Sequence, residues 1–228
     1  MLIMNKVLII CAHPDDDILG CGGYISKYSK SHKFRVLFIA EGSSCRFEDN
    51  KSQKSINEIK KRNSYAINAL KILGVDDVKF SNLRCGCLNK YPILEINKII
   101  EREINDFSPN IIFTHSSDDA NHDHLVVHNS TIMATRPGSK FLINKLFTYE
   151  VLSSTEWKFT KTFKPNYFES LEEKDIKNKW KALSEYKTEI KPFPYPRSYE
   201  GIKVISQYRG MQSNKKYAEA FNLVREIN

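Results

Sequence analysis

Residues 6–12 read Lys-Val-Leu-Ile-Ile-Cys-Ala, an unbroken apolar run that stops at His13-Pro14-Asp15-Asp16-Asp17. A run without polar alternation marks a strand covered on both faces, the condition of an inner strand in a parallel sheet. Residues 34–40 (FRVLFIA) and 110–115 (NIIFTH) repeat the pattern, and the second again runs into polar residues. Residues 18–30 read as a helix entered through small residues, and residues 93–107 as an amphipathic one. Residues 55–73 have helical spacing, with Ile56, Ile59, Ala66, Ile67, Leu70 and Leu73 on one side and Gly74 as the stop. Residues 78–80 and 146–151 are further strands, and residues 124–134, 174–187 and 216–226 further helices. Strands alternating with helices imply right-handed crossovers and a mainly parallel sheet, an α/β fold.

A chain of 228 residues is long enough for one well-buried core of this kind, and a single domain over residues 1–228 is expected. No repeat or low-complexity segment interrupts it, and the proline-rich residues 191–197 (KPFPYPR) read as a structured loop. No apolar run approaches the ~18 residues of a membrane span. The opening MLIMNKVLIICA lacks a basic start and a cleavage site, so it reads as the first buried strand rather than a signal peptide, and a cytoplasmic location is expected. The odd set Cys11, Cys21, Cys45, Cys85 and Cys87 then reads as reduced thiols. Cys85-Gly86-Cys87 has the wrong spacing for a zinc knuckle and no second pair. The net charge of +8 comes from lysines that alternate with acidic residues, the pattern of solvated helix faces. Nucleic acid is therefore not an expected partner, though a mild attraction for phosphate-bearing substrates is compatible with the charge.

In open parallel sheets, sites form beyond the carboxyl ends of the strands, and two polar clusters sit there. In the first, His13 and Asp16 flank a strand-to-helix turn and can both face one crevice, with Asp15 beside them. A catalytic zinc site needs about three protein ligands and an open position, and an unligated carboxylate next to it can act as a base. The competing reading has the three aspartates capping the following helix. A dinucleotide loop at Gly20-Cys21-Gly22-Gly23 is disfavoured by its spacing and by three carboxylates that would repel a pyrophosphate. The second cluster, Asp118-Asp119-Ala120-Asn121-His122-Asp123-His124, can supply the third ligand, and Asp123 can orient a neighbouring imidazole. His128 stands one helical turn beyond His124 but lacks the glutamate of H-E-x-x-H, so packing or a supporting contact is expected of it.

The segment Ala12-His13-Pro14-Asp15-Asp16-Asp17-Ile18-Leu19-Gly20-Cys21-Gly22-Gly23 resembles the AHPDDE-x-L-G-x-G-G signature of the LmbE/PIG-L-like N-acetylglucosamine deacetylases. The likeness continues in Thr114-His115, in Asp119 to His124, in Ala134-Thr135-Arg136-Pro137, in Tyr149-Glu150, in Ser153 to Trp157, in Pro196-Arg197-Ser198 and in Tyr217 to Phe221, in the expected order. The resemblance implies a Rossmann-like three-layer sandwich, Zn2+ bound by His13, Asp16 and His124, and Asp15 as general base. It implies Asp123 and Asn121 as further catalytic residues, and Arg46, Glu150 and Arg197 as contacts to an N-acetylated sugar, free or phosphate-, glycoside- or nucleotide-linked. Self-association into a homo-oligomer is left open. Asp17 replaces the family's glutamate, Asn121 a frequent histidine, and Tyr195 the histidine of P-H-P-R-S. Asparagine donates a hydrogen bond but shuttles no proton, so His122 becomes the alternative acid. A metal-dependent phosphoesterase and a non-catalytic sugar-binding relative are the competing functions. Trp157, Phe159, Phe163 and Tyr167 are aromatic candidates for stacking on a sugar, with core packing their commoner fate.

Overall fold

The computed structural model describes residues 4–138 and 142–228. The stretch of the opening apolar segment before Met4 lies outside the described residues. The expected inner strands form as β1 (Lys6–Cys11), β2 (Lys33–Ala40) and β4 (Ile111–His115), with β3 (Val78–Leu83) and β5 (Lys145–Tyr149) beside them. They pair in parallel in the order β3-β2-β1-β4-β5. The helices are α1 (Asp16–Tyr28), α2 (Gln53–Ile72), α3 (Ile93–Phe107), α4 (His122–Ala134), α5 (Glu173–Leu183) and α6 (Tyr199–Gln212).

The absence of alternation in β1 has the physical cause inferred for it. Val7, Ile9 and Cys11 enter a core shared with α1, α2, α5 and α6, while Leu8 and Ile10 enter a second core shared with α3 and α4. The result is a helix–sheet–helix sandwich. In α2 the inward stripe differs from the expected one. Ser55, Arg62, Ala66, Ala69 and Leu70 are buried, whereas Ile56 and Ile67 are exposed, so a charged residue occupies an inward position.

Three elements depart from expectation. Residues 216–226 are not a helix: they form β7 (Tyr217–Glu226), antiparallel to β5, and β6 (Tyr167–Leu171) pairs antiparallel outside it. The two alanines and the glutamate of Tyr217-Ala218-Glu219-Ala220-Phe221 favour helix as an isolated segment. Tertiary pairing overrides that preference because Tyr217 and Phe221 complete the α1-side core. Glu219 stays buried between them by accepting the N–H groups of Gly23 and Tyr24 and the Lys179 ammonium. The helix α6 also has no strong periodic signal. Its Gly201 is required because a Cβ there would lie 2.3 Å from the Pro196 carbonyl oxygen.

Beyond β1 the chain crosses to β2 and β3 on one side, and after α3 it returns to β4 and β5 on the other. The crevice between β1 and β4 is thus the point where strand order reverses, the place where open sheets bind ligands. Both polar clusters emerge there.

Candidate metal centre and its cleft

The turn after β1 sets the site. Asp15 has φ 111°, a left-handed conformation rare for a residue with a side chain. It is over-determined: Arg62 donates to the Pro14 carbonyl at 2.9 Å and to Asp15 Oδ2 at 2.8 Å, and Arg197 donates to the same oxygen at 2.7 Å. This twist releases Asp16 to begin α1 with its carboxylate turned back, where Oδ2 accepts the His13 N–H at 2.8 Å. No side chain caps α1, so helix capping does not account for the aspartates.

Asp16 Oδ2 lies 3.6 Å from His13 Nδ1 and 3.4 Å from His124 Nε2. One ligand atom from each of His13, Asp16 and His124 falls within 4.8 Å of the others. The remaining imidazole nitrogens face carboxylates. His13 donates from Nε2 to Asp123 Oδ2 at 3.0 Å, and Asp119 Oδ2 lies 3.1 Å from His124 Nδ1. Such anchoring fixes ring orientation and aims the other nitrogen at the centre. Asp119 is itself held by Ser154 and Thr155, which places a carboxylate behind each imidazole. Two imidazole nitrogens and one carboxylate oxygen, with supported rings, fit a borderline cation such as zinc and leave coordination positions open.

Burial lowers the proton affinity of both histidines, but their carboxylate partners outweigh it. His13 is raised to about 9 by Asp123 and Asp16, and His124 to about 10 by Asp16 and Asp119. Against its own burial, Asp16 is held well below the usual carboxylate range by His124, His13 and His115. Burial pushes Asp15 upward, and the Arg197 and Arg62 charges offset only part of that rise.

His115 is buried directly behind, stacked on His124 with ring centroids 4.0 Å apart. Its Nε2 accepts the Ala12 N–H at 2.8 Å, so it is spent as a ligand. His128 bonds the His115 carbonyl at 2.8 Å from Nδ1, the supporting duty expected of it. His122 is exposed and does not line the cleft, which removes it as the alternative acid. Asn121 does line it. As N-cap of α4 its Oδ1 accepts from Asp123 N–H at 2.9 Å, so its amide nitrogen is the end left free.

The cleft has a volume of about 200 Å³. His13, Asp15, Asp16, Asn121, Asp123 and His124 line its floor, and Arg46 and Arg197 its walls. Arg46 forms a two-pronged pair with Glu189 at 2.8 and 2.9 Å. Arg62 reaches the same glutamate at 2.6 Å, and these guanidiniums hold Glu189 down at about 2 despite its burial. Glu150 is the exception among the expected contacts. Its carboxylate is clamped by Arg209 at 2.8 and 2.6 Å and borders a separate small cavity beside Lys179 and Glu219, so the expected sugar contact does not fit this geometry. Tyr167 packs in the core on Phe147 and Phe221, and Phe163 lies under Arg209. Sequence reasoning missed Arg62 and Glu189, and it gave Asp119, although inside the second polar cluster, no role of its own.

The pattern of the PIG-L family, described as GlcNAc-PI de-N-acetylase, matches residues 8–135. The chain is 28% identical over 187 residues to the "Uncharacterized deacetylase YaiS" of Escherichia coli, spanning 80% of this chain and 90% of that one. It superposes on the N,N'-diacetylchitobiose deacetylase of Pyrococcus horikoshii with a TM-score of 0.77 and 19% identity, over 97% of this chain and 84% of that one. It also superposes on GalB, the 4-carboxy-2-hydroxymuconate hydratase of Pseudomonas putida, with a TM-score of 0.73 and 20% identity, over 99% and 98%. The architecture therefore hosts more than one chemistry, and residues in the site must decide. The residues between β1 and the end of α4, which carry both halves of the centre, fall inside the matched span, and the chain belongs to the PIG-L family of de-N-acetylases.

Proposed function

We propose that this chain is a zinc-dependent N-deacetylase that hydrolyses the acetamide of an N-acetylamino sugar, free, glycoside-linked or nucleotide-linked, and releases acetate. One observation carries the reading: Asp15 lines the same cleft as the His13, Asp16 and His124 triad without belonging to it. Family membership and the deacetylase names of YaiS and the Pyrococcus protein support it. A zinc ion held by the triad would supply a Lewis acid and bring the pKa of water towards ~7.

The chain's own residues do the rest. Both guanidinium contacts to Asp15 fall on Oδ2, which leaves Oδ1 to receive a proton from the attacking water. Arg62 and Arg197 fix the carboxylate in place, and burial raises its pKa above the ordinary carboxylate value. The free amide N–H of Asn121 donates to the substrate in the cleft. Asp123 keeps His13 in register rather than exchanging protons with substrate. Arg46 and Arg197 on the walls suit hydroxyls or a linked phosphate. A two-metal phosphoesterase fits less well, since His13, Asp16 and His124 are the one metal-capable group among the described residues.

Mass spectrometry on a panel of acetylated sugars and sugar nucleotides tests the reading. One acetyl group should be lost from a subset, and chelation should stop the loss. A zinc-loaded protein that releases acetate from none of them would overturn it.

A further inference from the structure

Two thiols of the cleft have no part in the reaction above. Cys45 follows β2 and is exposed, while Cys85 follows β3 and is buried, and both line the cleft. The Cys45 backbone N–H donates to Cys85 Sγ at 3.2 Å. The loops run so close that a Cβ on Gly86 would lie 3.3 Å from Cβ of Cys45. A disulfide needs Cα atoms roughly 4.4–6.8 Å apart, and the contact of the Cys45 N–H with Cys85 Sγ makes these two residues direct neighbours across the loops.

We propose that Cys45 and Cys85 are a peroxide-reactive dithiol whose oxidation to a disulfide restrains the metal cleft. Cys45 is the attacking sulfur, being the accessible one, and its pKa is lowered to about 7, first by the Cys85 hydrogen bond and, against burial, by Arg46. A thiol poised near ambient pH combines thiolate population with nucleophilicity. The neighbouring Cys45 thiol first, and burial second, push Cys85 up, which suits the resolving thiol.

The chemistry balances with hydrogen peroxide as oxidant. Cys45 sulfur attacks one peroxide oxygen, the O–O bond breaks, and hydroxide leaves to become water with the proton that Cys45 gave up. Cys85 sulfur then attacks the sulfenic sulfur, the S–O bond breaks, and the oxygen departs as water with the Cys85 proton. Two thiols are oxidised and one peroxide is reduced.

The bond would act on the site through the next peptide. Gly86 N–H and Leu88 N–H donate to Asp123 at 2.5 and 3.0 Å, and Asp123 holds His13. Fastening Cys85 to the β2 loop therefore pulls on the carboxylate that orients a proposed metal ligand. Loss of such support costs about 10–100-fold in activity or metal affinity. This effect on turnover rests on the deacetylase reading, whereas the oxidation itself does not.

The experiment treats the full chain with stoichiometric hydrogen peroxide, then maps peptides by mass spectrometry and assays turnover before and after dithiothreitol. The expected result is a linked Cys45–Cys85 peptide and a 10–100-fold loss of activity, both reversed by reductant. In Cys85→Ser, Cys45 should stop at a dimedone-reactive sulfenic acid, and Cys87→Ser should behave as the unmodified chain. Absence of the linked peptide, or linkage to Cys87 instead, overturns the proposal. A linked peptide with unchanged turnover overturns its control of the cleft. Untreated protein without deacetylase activity counts against the deacetylase reading alone, because the peptide map still reports on the dithiol.

Discussion

At the residue scale, Asp15 is the point where strain, electrostatics and proposed chemistry meet. A non-glycine residue at positive φ costs about 1–3 kcal/mol, and the guanidiniums of buried Arg62 and half-buried Arg197 hold it there. Asp15→Asn preserves the shape while removing the proton acceptor. Turnover should fall by about 10²–10⁴-fold with zinc content unchanged by mass spectrometry, and a variant with full activity would refute the base assignment. The histidines make a second prediction. Without metal, the raised pKa values of about 9 and 10 mean that imidazolium–carboxylate pairs stabilise the fold. That stabilisation is complete below the unfolded imidazole value of about 6.5 and fades as pH rises through the folded values. A cation must displace those protons, so its apparent affinity should rise with pH. Zinc should accordingly raise the melting temperature more at pH 8 than at pH 6, and an equal or reversed shift would show that the histidines are not the ligands. His13, Asp16 and His124 were legible because each lies in a polar cluster that abruptly follows a buried strand. Arg62 and Glu189 were not, because each looks locally like an ordinary surface charge and only burial against Asp15 and its neighbours gives it a role.

At the element scale, α1 lies unusually close to the sheet, and its glycines are the reason. A Cβ on Gly20 would approach Tyr149 Cδ2 to 2.3 Å. Tyr149 is fully buried with its hydroxyl bonded to the Ile10 carbonyl at 3.0 Å, so it has little room to yield. Gly20→Ala should therefore cost about 1–3 kcal/mol through overpacking. In a chain of this size each kcal/mol lowers the melting temperature by about 2–4 °C. Calorimetry of the variant checks this, and an unchanged melting temperature would mean that the helix shifts freely. The glycine-rich stretch thus serves close packing rather than phosphate binding. Most helices and inner strands were readable from their periodicity, which is a local property. The strand β7 was not, because its buried Glu219 disguises the inward face and its partner Lys179 is 40 residues distant.

At the scale of the whole molecule, β7 joins the parallel half of the sheet to its far edge, pairing with both β5 and β6. A chain ending before Tyr217 would leave β5 with an open edge, strip β6 of its neighbour and remove Phe221 from the core. Such a truncation should fail to give a soluble, cooperatively unfolding protein. Soluble expression with a normal thermal transition would contradict the central place assigned to the last strand.

What the sequence determined by itself was local. Hydrophobic runs set the inner strands, their abrupt polar ends marked the two halves of the centre, and the ordered motifs identified the family. Tertiary structure alone decided what depends on contacts between distant segments. It chose which imidazoles converge with Asp16, turned His115 into a backbone acceptor, took Glu150 out of the cleft by pairing it with Arg209, and built the arginine cage around Asp15 and Glu189. The physical reason is that periodicity records which face a residue presents, whereas the partner it meets there is set by chain segments far away in sequence.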